Sequence, residues 1–255
     1  MSRSGKLLWR LASFAVAAGL VGVWQLVANA QLVSPIFLPG PDKAWAALVN
    51  GFAHRGLGDK LLGTLRHMTF GWLAACVAAV VIGSLIGTSR RARLYVAPSL
   101  EFLRPLPVSA IIPVAIALYG LSESMAIFVI AFGTLWPMLL STVQGYASVQ
   151  PRLLEVAQAL NLSRLKTIMT ISLPSALPEI LAGMRVSLTV ALILSVVCEI
   201  VAGLDGLGQW LLVSARMFRS PDLFAGVILL GMIGYLAAAL IAEVERRLLA
   251  WRPAR

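Results

Sequence analysis

Long apolar runs with almost no charge, set between short basic breaks, decide most of what this chain can become. Residues 11–41 contain no Asp, Glu, Lys or Arg, and the run from Val186 to Leu204 holds a single acid, Glu199. A bilayer core about 30 Å thick is crossed by about 20 apolar residues in a helix. Inside lipid every backbone N–H and C=O must find its partner within the structure, which favours helices. Composition agrees: 59% of the 255 residues are hydrophobic and 13% charged, against about 25% charged in soluble domains. The sequence is therefore expected to be all-α and integral to a membrane. It reads as one domain over 1–255, with a core from about 61 to 246.

Six spans are expected. The first runs from Leu11 to Ala30, preceded by Arg3, Lys6 and Arg10. A cleaved signal is the alternative, since Ala28-Asn29-Ala30 resembles a small-residue cleavage site, but the apolar region exceeds the usual h-region of about 7–15 residues. Pro35, Pro39, Gly40 and Pro41 break the chain, and Trp45, Leu48, Val49 and Phe52 then share one face of a short interfacial helix. The second span covers about Leu61 to Thr88 and contains Gly83-Ser-Leu-Ile-Gly87, a small-xxx-small packing pattern. The third, Val96 to Tyr119, carries Pro98, Pro105, Pro107 and Pro113, so it is kinked or broken. Freed carbonyls at that depth need protein or a water-filled cavity. Pro105, Pro107 and Pro113 are thus candidates for a translocation path, with a bent packing helix as the alternative. Met125–Tyr146, Glu179–Gly203 and Leu223–Ala242 complete the set. Glu199 is an ionisable residue inside a span, a functional candidate by default; near the span's end it could equally pair with a neighbouring helix.

The net charge of +10 does not point to nucleic acid, because the cations are scattered between apolar spans rather than gathered on a face. They carry topology instead. Segments 3–10, 90–93, 152–166 and 246–255 hold thirteen Lys and Arg, whereas 42–60 and 203–222 hold five. The positive-inside rule then puts both termini in the cytoplasm. Cys76 and Cys198 sit apart within apolar runs, and His54 and His67 stand alone, so no metal-ligand set is expected.

Residues 150–178 are the exception to the apolar pattern. Pro151 suits a first helical turn, and Leu153, Leu154, Ala157 and Leu160 recur at helical spacing opposite Arg152, Glu155 and Gln158. Asn161 tolerates a left-handed helix end, Ser163 can cap a second helix, and Pro174 is expected to stop it. Pro178 then opens the next span.

This stretch resembles the EAA loop of ABC-transporter permeases. Glu155, Ala157, Ile171, Leu173 and Pro174 fall at the motif's spacing, while Val156 and Asn161 replace its second residue and its Gly. Phe37-Leu-Pro-Gly-Pro41, Pro105-Leu-Pro107 with Pro113, and Glu199-Ile-Val-Ala-Gly203 through Gly206-Leu-Gly208 are similar to the branch serving nitrate, aliphatic sulfonates and taurine. The resemblance implies a type I ABC importer-like fold: six transmembrane helices and a cytoplasmic two-helix coupling loop. It implies a permease subunit in a bacterial inner membrane, paired with a second copy. Two ATPase subunits would bind ATP and Mg, and a periplasmic or lipoprotein binding protein would deliver a small anionic solute. In that picture Leu153, Leu154 and Leu160 fill a groove on the ATPase, Glu155 orients the contact, Ala157 is a close-approach point and Asn161 is the hinge.

The residues themselves are consistent with a subunit that needs a motor. No G-x-x-x-x-G-K-[ST] run occurs, and no nucleophile–base set or carboxylate pair suggests catalysis, so neither an enzyme nor a cofactor of its own is expected. The rival reading is a secondary transporter or channel working without an ATPase, which would display coupling-ion acids. Glu199 and Glu123 are all the chain offers.

Overall fold

The computed structural model describes residues 3–103 and 107–251, and its regular structure there is helical. Four helical stretches are long and apolar enough to cross a membrane: Leu57–Gly87, Glu123–Ala147, Arg164–Ala202 and Ser220–Leu248. Ala15–Asn29 and Val108–Tyr119 are shorter apolar helical stretches.

In order, α1 is Arg3–Asn29, α2 Pro41–His54, α3 Leu57–Gly87, α4 Arg90–Leu103 and α5 Ile112–Tyr119. Then come α6 Glu123–Ala147, α7 Pro151–Ala159, α8 Arg164–Thr167, α9 Leu173–Ala202, α10 Leu207–Arg216 and α11 Ser220–Leu248. The centre is α3, α6 and α9. On α3 a stripe of small residues recurs every fourth position, Gly71, Ala75, Ala79, Gly83 and Gly87, and all five are buried. Lipid offers no hydrophobic drive for helices to associate, so close approach through small residues supplies the packing instead. The expected Gly83–Gly87 pair is the last turn of this longer seam.

The seam fixes direction. Gly71 faces Ile130, Gly83 faces Thr142 and Gly87 faces Tyr146, so positions on α3 and α6 rise together and the two helices run parallel. On the other side of α6, Gly133 faces Leu194, Ser141 faces Gly183 and Gly145 faces Ala176, an antiparallel order. Parallel α3 and α6 require the connector 88–122 to climb back over the full height of the bundle. It does so in pieces. Among the described residues the expected third span is in pieces: α4 is described up to Leu103, Pro107 lies outside any helix, a single 3-10 turn covers Val108–Ile111, and α5 has eight residues. Eight residues rise only about 12 Å. Pro107 flanks the 3-10 turn, and Pro113 lies in the first turn of α5, where proline belongs. Pro105 lies outside the described residues.

Two other expectations change. Pro174 does not end a helix: α8, one wide turn at Ile168–Ser172 and α9 form one continuous rod of 39 residues through both Pro174 and Pro178. In the wide turn Leu173 N–H donates to Ile168 O, five residues back. That turn displaces the carbonyls a proline ring would strike. The α2 face also differs. Ala44, Leu48 and Gly51 are buried, while Trp45, Val49 and Phe52 are exposed. Helix α2 therefore has two apolar sides, one against the bundle and one free. The stretch before it is held by Trp24, whose indole N–H donates to Pro39 O at 3.0 Å, and by Ser220, which donates to Ile36 O.

Candidate functional site

The 150–172 surface is built by local backbone chemistry. Pro151 occupies the first turn of α7, and its end closes as Leu162 N–H donates to Ala157 O and Asn161 N–H to Gln158 O, both 2.9 Å. That pair of bonds defines a Schellman closure with the left-handed residue at Asn161, φ 49°. Ser163 then caps α8, its Oγ accepting from Lys166 N–H at 3.4 Å. These turns leave Leu153, Leu154, Val156 and Leu160 exposed on one projecting element, with Leu165 and Met169 exposed beyond the turn. Glu155 is exposed and has no ion-pair partner among the described residues. Ala157 points the other way and is 2% exposed. It lines a cleft of about 650 Å3 between the α7–α8 element and the ends of α3 and α6, with Thr88, Arg93, Tyr146 and Arg164 also on its walls. Ile171, Leu173 and Pro174 belong to the rod that leads from this element into the bundle. Helix is continuous from α8 into α9, while α7 joins α8 through the closed turn at Leu160–Ser163.

The opposite end of α9 holds a buried polar node. Glu199 is 0% exposed. Its Oε2 accepts from Thr64 Oγ1 at 2.9 Å and from Gly208 N–H at 2.8 Å, and its Oε1 lies 3.2 Å from His67 Nδ1. Thr64 Oγ1 also accepts from Leu207 N–H at 2.8 Å. One carboxylate thus joins α3, α9 and the first turn of α10, whose free N–H groups suit an anion. Glycine makes the approach possible. A Cβ on Gly206 would collide with the Glu199 carboxylate, one on Gly208 with Val196 O, and one on Gly63 with Asp205 O.

Of the residues singled out from sequence, Leu153, Leu154, Glu155 and Leu160 are exposed on α7 and its closing turn, Asn161 is the left-handed residue of that turn, Ala157 is buried against the chain, and Ile171, Leu173 and Pro174 lie in the rod. Among the described residues none of Glu199's hydrogen-bond partners comes from 107–113, where Pro107 and Pro113 are exposed. Glu199 pairs with a neighbouring helix. Thr64 and His67 were not foreseen. The available signal was their i, i+3 spacing directly above the small-residue stripe of α3.

Comparison with known proteins fits this architecture. A Bacillus subtilis (strain 168) protein assigned as an aliphatic sulfonates transport permease is 34% identical over 239 residues, 92% of this chain and 85% of its own length. The taurine transport system permease protein of Escherichia coli (strain K12) is 32% identical over 261 residues, 98% of this chain and 94% of that protein. A chain from inward-facing structures of the MetNI methionine ABC transporter superposes with a TM-score of 0.61 at 18% identity, covering 82% of this chain and 99% of that one, and so shares the fold. The model of the family of binding-protein-dependent transport system inner membrane components matches residues 79–250. The chain belongs to that family, the multi-pass membrane permeases of ABC transporters.

Proposed function

We propose that this permease forms the translocation path of an ATP-driven importer for a small anionic solute of the nitrate, sulfonate or taurine type. A separate ATPase pair engages the 150–174 element and binds the ATP and Mg. A second permease copy completes the path, and a binding protein delivers the solute from outside. The single observation that carries the reading is the projecting α7–α8 element. It exposes Leu153, Leu154, Val156 and Leu160, is stiffened by a Schellman closure and a capped turn, and its α8 half is continuous with a membrane-crossing rod. Exposed Leu153, Leu154, Val156 and Leu160 have no use in water and are too few to enter lipid beside Arg152, Glu155 and Arg164. A protein groove is the surface that suits them.

Two arguments support six crossings and cytoplasmic termini. Parallel α3 and α6 need a crossing between them, supplied by the α4–α5 pieces, and α1 brings the count to an even number. The thirteen-to-five excess of cations supports 150–174 and both ends on the inner side. The carrier reading without an ATPase loses its best residue, because Glu199 is occupied by three partners in a structural node.

The test is co-purification of a tagged chain from its native membrane, followed by mass spectrometry. A P-loop ATPase is expected with the wild type and absent from a Leu153→Asp/Leu160→Asp variant that still inserts. A wild-type complex without an ATPase, or one retained by the variant, would overturn the reading. Both positions are exposed, so the pair perturbs the contact rather than the fold; Ala157 is less suitable because it faces its own chain.

A further inference from the structure

The cleft of about 650 Å3 beneath the α7–α8 element is basic, and none of its described wall residues is an acid. Arg93, in the first turn of α4, and Arg164, the first residue of α8, both stand on its walls. Neither has an ion-pair partner among the described residues. Arg93 is partly buried and is held in place from both ends. Its backbone N–H donates to Ser89 O at 3.0 Å, and its guanidinium donates to Gly87 O. The other N–H groups of that fork have no partner among the described residues.

Two hydroxyls on the same walls are also free. Thr88 and Thr167 each donate to a carbonyl of the preceding turn, at 2.8 and 3.1 Å. Tyr146 and Ser172 do not. They are 6% and 7% exposed, and neither hydroxyl has a hydrogen-bond partner among the described residues. Nor is either hydroxyl sealed off: the unpaired side-chain atoms without open surface there are Trp136 Nε1 and Gln209 Oε1. The open space that Tyr146 and Ser172 border is the cleft. Local structure fixes both residues. Ser172 ends the wide turn, and Tyr146 packs where a Cβ on Gly87 would collide with it. Two cations, two free hydroxyl donors and no carboxylate suit an anion with several acceptor oxygens.

The rest of the wall is largely apolar, with Leu154, Leu162 and Ile168 on it. A bare inorganic ion would leave most of that space unfilled. The cleft also lies where α3 ends at Gly87 and α6 at Ala147, both of them long enough to cross a membrane. The ends of such helices reach the headgroup layer, where basic pockets between helices take anionic lipid. We propose that this cleft binds a phosphate ester. The phosphate lies on Arg93 and Arg164 and accepts from Tyr146 and Ser172, and the organic part lies along Leu154 and Ile168. Two sources share that chemistry, the headgroup of an anionic phospholipid and a soluble phosphomonoester. A ligand so held ties the wide turn and α8 to α4, bracing the α7–α8 element against the bundle. The site requires no ATPase, so its test stands apart from the transport reading.

The experiment places the full chain in phosphatidylcholine nanodiscs and offers it two probes. Phosphatidylglycerol is doped into the discs and its retention is read by native mass spectrometry; phenyl phosphate is titrated by calorimetry into undoped discs. At least one probe should saturate at one molecule per chain and slow limited proteolysis of 150–172. Arg93→Gln should weaken that probe at least about tenfold, the loss of a charge-assisted bond, with Arg93→Lys restoring part of it. Tyr146→Phe keeps the ring against Gly87 and removes only the hydroxyl. It should weaken binding about tenfold, the size of one hydrogen bond to a charged group, and Ser172→Ala should do the same. Because neither hydroxyl bonds within the chain, both variants should keep the wild-type thermal midpoint in undoped discs. Retained phosphatidylglycerol without phenyl phosphate heat assigns the site to lipid, and the reverse assigns it to a soluble ester. Saturation by neither probe would overturn the proposal. So would an Arg93→Gln variant, or a Tyr146→Phe/Ser172→Ala double variant, that binds like the wild type.

Discussion

Thr64→Val is the sharpest probe of the buried node. The change keeps the side chain's shape and removes one hydroxyl, which here serves twice: it donates to Glu199 Oε2 at 2.9 Å and accepts from Leu207 N–H at 2.8 Å. In the variant the carboxylate keeps only Gly208 N–H on that oxygen, and the Leu207 N–H is stranded in a site with no exposed surface. Hydrogen bonds between membrane helices average about 0.6 kcal/mol and reach about 1.7, because an unfolded chain in the membrane finds other partners. Both Thr64 bonds belong at the upper end, one being to a carboxylate and the other to a backbone group that water cannot reach. The expected loss is therefore about 3 kcal/mol. Thr64→Ser keeps the hydroxyl and deletes one methyl, a loss of about 0.8 kcal/mol. Unfolding of the purified protein by a rising fraction of denaturing detergent, followed by circular dichroism, measures both. If Thr64→Val proves as stable as Thr64→Ser, the hydroxyl carries no structural weight and the node reasoning fails.

The other expectations contrast with that one. Gly83→Leu places a side chain where a Cβ alone would lie 2.7 Å from Thr142, so overpacking should cost about 1–3 kcal/mol. Gly231→Leu has open space and should change stability by less than about 0.5 kcal/mol in the same detergent titration. Asn161→Gly should leave both folding and ATPase co-purification intact, whereas Asn161→Val should cost about 1 kcal/mol or more and expose the 150–172 element to limited proteolysis. Arg66→Ala removes a half-exposed ion pair to Glu123 and should cost less than about 1 kcal/mol, despite joining the same two helices as the glycine seam.

What could be read from the sequence was what depends on neighbours in sequence. The long apolar runs mark α3, α6, α9 and α11 because lipid enforces helix wherever such a run occurs. Asn161 was legible as a helix end because its tolerance of positive φ is a property of one residue. Pro174 misled for a related reason. Proline does break a regular helix, but a single i→i−5 turn before it removes the clash, and no residue in 168–172 announces that turn. Glu199 stood out as the lone acid of its run, yet its partners Thr64 and His67 lie 135 and 132 positions earlier. Nothing in short-range periodicity links them; the link is made by α3 running along α6 and α9 on a seam of small residues. The glycines at 63, 206 and 208 were the trace of that link. Each looks like ordinary turn chemistry in sequence, and each is needed because another backbone or the Glu199 carboxylate lies where its Cβ would be. In a chain this apolar, a glycine next to a lone acid therefore says more about which helices meet than the acid does by itself.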